Sequence, residues 1–239
     1  MEQANSAEVI TPQQSVKGLS TKGLAEVFYR PAAFFEQLKH QPKVLVPYIV
    51  VGLIFLLTFW LIQDLSVQVA LDSPQMQQNL QGQAPPPQVV SAIRVTTLVM
   101  PTLTYLIYPL VVAALMMLVG NFFMGGKASY KQLLSVALYG AMICAVGKLV
   151  LVPLMLAKGS ATASISLGVL APTQSPFDPV WVALSSIDLF NIWEIIAVGI
   201  GLAAVYNISR NKGYLISVLS VGLLIVFGVL WTAISSAIA

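Results

Sequence analysis

The run VLVPYIVVGLIFLLTFWLI, Val44–Ile62, carries no charged side chain in 19 residues. A hydrocarbon core about 30 Å thick is crossed by about 20 helical residues. Inside it, a helix satisfies each backbone N–H and C=O within its own segment. The stretch therefore reads as a membrane span. Four further apolar segments follow, at about 95–124, 133–157, 187–208 and 214–238. The second contains Pro101 and Pro109, which predict a kink or a tilt. The third is interrupted only by Lys148, and the fifth is uncharged. Barrel strands alternate over about ten residues. These runs are continuous and longer, so they read as helices.

Composition agrees. The 239 residues are 57% hydrophobic and 9% charged, with a mean hydropathy of +0.84. Soluble domains carry roughly 25% charged residues. The fold class expected is all-α: a polytopic membrane protein with five transmembrane helices. The polar residues 1–23 lack an apolar signal-peptide core and read as a flexible cytoplasmic tail. Residues 24–239 form the membrane domain.

The net charge of +3 could point to nucleic acid, but its distribution does not. Lys17, Lys22, Arg30, Lys39, Lys43, Lys127, Lys131, Arg210 and Lys212 all fall on one side of a five-span topology. Arg94 and Lys158 fall on the other. Nine against two predicts a cytoplasmic N-terminus and, after five spans, a C-terminus outside. The positive charge then belongs to topology, and no nucleic-acid partner is expected.

The segment LAEVFYRPAAFFEQLKHQPK precedes the first span. Leu24, Val27 and Phe28 group at helical spacing, as do Phe34, Phe35 and Leu38, and Pro31 suits the first turn of a second helical piece. Arg30, Lys39 and Lys43 flank these apolar residues. The pattern predicts an amphipathic helix in the headgroup layer, anchored by Phe28, Pro31, Phe34 and Phe35. A docking surface for a cytosolic partner is the other reading.

Two loops carry signals. Gln63–Ile93 holds eight glutamines and Pro85-Pro86-Pro87. Ser73-Pro74 there resembles a helix start, with a short surface helix over Gln75–Gln81 ended at Gly82. In GGKASYKQLLSV, Gly125-Gly126 end the second span, and Ser129 and Gln132 have the spacing of a capping box for the third. The G-x-x-x-x-G-K-[ST] spacing of a phosphate loop is absent, so no nucleotide and no other cofactor is expected.

Several stretches resemble the Yip1-domain family. RPAAFF (Arg30–Phe35) is similar to its Pro-x-x-Phe-Phe motif. GGKASYKQLLSVALYG (Gly125–Gly140) is similar to its Gly-Gly-x-x-Ser-Phe/Tyr-Lys-Gln segment. SSIDLFNIW (Ser185–Trp193) with GIGLAAVYNISRNKG (Gly199–Gly213) resembles its Asp-x-Phe-x-x-Trp and following glycine. The resemblance implies five membrane helices, a cytoplasmic N-terminus, and a scaffold, trafficking or assembly role. Eukaryotic members bind membrane proteins and small GTPases of vesicle traffic through longer N-terminal regions. This chain looks more like the bacterial branch, which implies an inner (plasma) membrane location.

The functional candidates are polar groups within spans: Lys148, Asp188, Asn191 and Glu194. If the fourth span starts late, with Ser185 as cap and Asp188 in the first turn, Asp188 sits at an interface. Only Glu194 then remains inside, and a Lys148–Glu194 ion pair between the third and fourth spans is expected. The plainer alternative is that Lys148 snorkels and Glu194 is protonated. Cys144, the only cysteine, and His40, the only histidine, have no metal-ligand spacing. Catalysis is not expected. The favoured function is a scaffold, accessory or assembly subunit beside other membrane proteins, an ABC-type exporter or further copies of itself among them. The alternative is a small-solute or proton-coupled transporter using Lys148, Asp188 and Glu194.

Overall fold

A computed structural model describes residues 21–238. The expected tail lies outside them except for its last three residues, which already belong to a helix. All regular structure among the described residues is helical. In chain order the α-helices are α1 (Thr21–Tyr29), α2 (Pro31–Leu38), α3 (Leu45–Leu61), α4 (Gln63–Leu71), α5 (Pro74–Leu80) and α6 (Pro87–Met117). They continue with α7 (Tyr130–Lys158), α8 (Pro179–Ser185), α9 (Leu189–Tyr206) and α10 (Arg210–Ile238). A π-helical turn, Leu118–Phe123, extends α6.

The five long elements match the five apolar segments. α6, α7, α9 and α10 are each long and apolar enough to cross a membrane. α3 reaches that measure together with α4, which leaves it at a 66° bend. α6 runs unbroken through Pro101 and Pro109 and begins at Pro87, well before the expected 95. Its extra turns carry Arg94, which pairs with Asp64 of α4 at 2.7 Å.

α7 is the central helix. It packs on α3, α6 and α9. In its most apolar stretch 56% of residues are buried, against 22% for the peripheral α10. Between α3 and α6, Phe55 stacks on Tyr105 with centroids 4.0 Å apart. α9 and α10 form an antiparallel pair at very close range. A Cβ on Gly213 would lie 2.2 Å from the Gly199 carbonyl oxygen, so only glycine permits this approach.

The turn after α6 follows the reading of its glycines. Gly125 adopts φ +69°, where a side chain would be strained. Asn121 pins the loop by donating to the Ala128 carbonyl (2.9 Å) and accepting from its N–H (3.2 Å). Ser129 and Gln132 then form the expected capping box on α7. Gln132 does more, since its amide also donates to the Lys39 carbonyl at 2.9 Å. Ser135 donates to the Lys43 carbonyl at 2.8 Å. These bonds tie the N-terminal segment to the start of α7.

That segment corrects the headgroup expectation. Val27 and Phe35 are fully buried, and Phe34 and Leu38 nearly so. Phe34 meets Tyr139 edge to face at 4.5 Å, and Phe35 packs where Gly201 leaves room on α9. Phe28 and Pro31 are half-buried, with Pro31 opening α2 as expected. The apolar faces of α1 and α2 are therefore covered by the bundle rather than by lipid headgroups. Helical spacing marks an apolar face, but not what covers it. α5 starts after Ser73 and ends at left-handed Gln81, close to expectation, although Ser73 bonds back to the Ala70 carbonyl instead of capping.

Candidate functional site

α9 does start late. The chain breaks between α8 and α9, and Asp188 rather than Ser185 is the cap. Ser185 is the last residue of α8. Asp188 Oδ1 accepts the backbone N–H groups of Phe190 (2.7 Å) and Asn191 (2.9 Å), two of the donors that every helix start leaves unpaired.

A polar chain leads inward from this cap. Asn191 donates through its side-chain amide to Asp188 Oδ2 at 2.9 Å. Its carbonyl oxygen accepts from the Cys144 thiol of α7 at 3.1 Å. The same thiol lies 2.9 Å from Glu194 Oε2, so its one proton is shared between two acceptors. Tyr108 of α6 donates to Glu194 Oε2 at 3.3 Å. Glu194 is only 2% exposed, and its Oε1 is buried with no hydrogen-bond partner among the described residues. Asn191 and Glu194 are three residues apart and so share one face of α9.

Small residues make this approach possible. A Cβ on Gly140 would lie 2.5 Å from Val198 Cγ2 and 3.3 Å from Glu194 Cγ. A Cβ on Gly147 would lie 2.2 Å from the Phe190 ring. Gly140, Cys144 and Gly147 thus form the face of α7 on which α9 lies.

The expected Lys148–Glu194 ion pair is not formed. The ion pairs among the described residues are Lys39–Glu36 and Arg94–Asp64. The reason is the antiparallel register of α7 and α9. Cys144 is level with Asn191 and Glu194. Lys148 lies one turn further along α7, about 6 Å, which is one turn earlier on α9.

Of the four candidates, Asp188, Asn191 and Glu194 are linked through bonds, while Lys148 stands beside the cap. Sequence reasoning overlooked Tyr108 and weighed Cys144 only as a metal ligand. The spacing Gly140-x3-Cys144-x3-Lys148 was the available signal, since it puts a polar seam on one face of α7. Outside the spans, Asp178 caps α8. The Thr173 hydroxyl, then the Trp181 and Val180 N–H groups, hold its carboxyl below the usual carboxylate range.

Two grooves open at the end of the bundle where α7 and α10 begin. One, about 490 Å³, lies between α2 and the end of α9, beside Glu36, Asn207 and Arg210. The other, about 530 Å³, lies between the start of α3, α6 and α7. Neither is lined by a residue of the Glu194 cluster.

Fold and site together define an all-helical polytopic membrane protein with a carboxyl group enclosed among its spans. A family model described as the Yip1 domain matches residues 25–232, and the chain belongs to that family. It is 28% identical over 114 residues to the membrane protein YknW of Bacillus subtilis (strain 168). That match covers 47% of this chain and 48% of the other, so it spans about half the length of the curated relative. No solved structure matches the chain.

Proposed function

We propose that this Yip1-domain protein is a non-catalytic membrane scaffold, acting as an accessory or assembly subunit of another membrane complex. The observation that carries the reading is the orientation of its polar groups. Asp188, Asn191, Cys144, Glu194 and Tyr108 turn toward one another inside the bundle. The outer sides of α3 and α10 instead present apolar residues such as Leu53, Trp60, Phe227 and Trp231. Enclosure of Glu194 leaves no open face to a soluble substrate, which supports a non-enzymatic role. The distribution of nine basic residues against two supports a cytoplasmic N-terminus and a C-terminus outside. The resemblance to a bacterial membrane protein supports the inner membrane. Mild-detergent purification followed by mass spectrometry tests the reading. A stoichiometric membrane partner, an ABC-class exporter being one host, is the expected result. Recovery of the chain alone, with solute or proton flux after reconstitution, would overturn it. The second reading, transport through Lys148, Asp188 and Glu194, draws on the unpartnered Glu194 Oε1.

A further inference from the structure

The groove between α3, α6 and α7 combines two chemistries. Its apolar wall is made by Val44, Tyr48, Leu110 and Leu134, and its polar side by Lys43 and Lys131. Lys43 lies two residues before α3, and Lys131 is the second residue of α7. Both therefore stand at the same end of the bundle, where the apolar spans begin. Neither has a carboxylate within salt-bridge distance among the described residues. The segment bearing Lys43 is fastened to the first turns of α7 by the Ser135–Lys43 and Gln132–Lys39 bonds. The two ammonium groups thus come from backbone that is locked together. The Tyr130 hydroxyl reaches the Leu110 carbonyl at 3.0 Å, bracing α7 against α6 beside the groove. On the outer rim Leu45 is 71% exposed and Val46 52% exposed.

We propose that this groove is a binding site for an anionic glycerophospholipid. The phosphate sits between Lys43 and Lys131, and an acyl chain runs down past Leu45 and Leu110. Two cations without acidic partners among the described residues, placed at the end of the bundle over an apolar wall, complement a phosphodiester attached to a hydrocarbon chain. Lysine suits a headgroup of variable shape because its charge is a point on a flexible stem. The site stands apart from the Glu194 cluster and does not depend on the scaffold reading.

The test uses the purified full-length chain in neutral detergent, with phosphatidylglycerol and phosphatidylcholine as probes and binding read by native mass spectrometry. The wild type should retain phosphatidylglycerol in preference to phosphatidylcholine. Lys43→Gln with Lys131→Gln should weaken that preference about tenfold or more. Lys43→Arg with Lys131→Arg should keep it. Lys127→Gln with Lys212→Gln removes equal charge outside the groove and should also keep it. Leu110→Trp, which fills the apolar wall and leaves both lysines, should expel the lipid and covers the case in which the double glutamine variant does not fold. An unchanged preference in the glutamine pair or in Leu110→Trp would overturn the proposal. So would an equal loss in the Lys127 and Lys212 control, or equal occupancy by inorganic phosphate.

Discussion

Cys144 and Glu194 meet across the α7–α9 interface, with the thiol sulfur 2.9 Å from the carboxyl Oε2. Tyr108 brings a second donor to the same oxygen from α6. Three helices are thereby joined at one acidic group, and the strength of that joint can be measured.

Cys144→Ala removes one of the two donors and should lower stability by about 1–3 kcal/mol, the cost of leaving a buried polar atom short of a partner. Cys144→Ser keeps a donor in nearly the same place and should stay closer to wild type. Thermal unfolding in detergent reads both. Equal losses would assign the effect to packing.

Lys148→Met and Glu194→Gln should behave as independent changes. No ion pair joins the two residues, so the double variant should equal the sum of the singles within about 0.5 kcal/mol. A double variant more stable than either single would show a direct pair.

Gly213→Ala should be among the most disruptive small changes in the chain, since its Cβ would lie 2.2 Å from the Gly199 carbonyl oxygen. Backbone must shift to admit it, and a loss of about 1–3 kcal/mol is expected. Gly222 on the same helix faces open space, so Gly222→Ala should be neutral or slightly stabilising. Comparing the two separates helix packing from helix propensity.

Phe35 is fully buried, whereas Tyr29 nearby is 64% exposed. Phe35→Ala should cost about 3–5 kcal/mol and open α2 to protease. Tyr29→Ala should change stability by about 0.5 kcal/mol or less. A Phe35→Ala variant with unaltered melting and proteolysis would return this segment to the lipid surface.

Reporter fusions check the orientation. A reporter after Ala239 should be non-cytoplasmic, and reporters in Ser129–Lys131 and Arg210–Lys212 should be cytoplasmic. All three on one side would contradict the odd number of crossings.

The spans were legible because apolar length alone defines them, as Val44–Ile62 shows against α3 at Leu45–Leu61. Caps were legible where one local signal decides, as at Ser129 and Gln132. The site was legible only in part. Asp188, Asn191 and Glu194 stand out as polar residues in apolar surroundings, but their partners depend on the register between α7 and α9. That register is set by Gly140 and Gly147, whose missing side chains admit Val198 and Phe190. The lipid-anchor reading of Phe34 and Phe35 failed for a related reason. An amphipathic face looks the same in sequence whether headgroups or a helix bundle receive it.

The bend after α3 has a consequence for the surrounding bilayer. The 17 residues of α3 span about 26 Å at 1.5 Å per residue, less than the roughly 30 Å of hydrocarbon. Its neighbour α7, with 29 residues, spans about 44 Å. The spans are thus uneven in length: α3 and the 18-residue α9 fall short of that thickness, whereas α6 and α10 exceed it. Lipid beside α3 meets the polar residues of α4 early and must thin to match them, at a fraction of a kcal/mol per Å of mismatch. The molecule carries a built-in preference for thinner membrane on that flank, and a neighbouring protein with an equally short span would relieve the same strain.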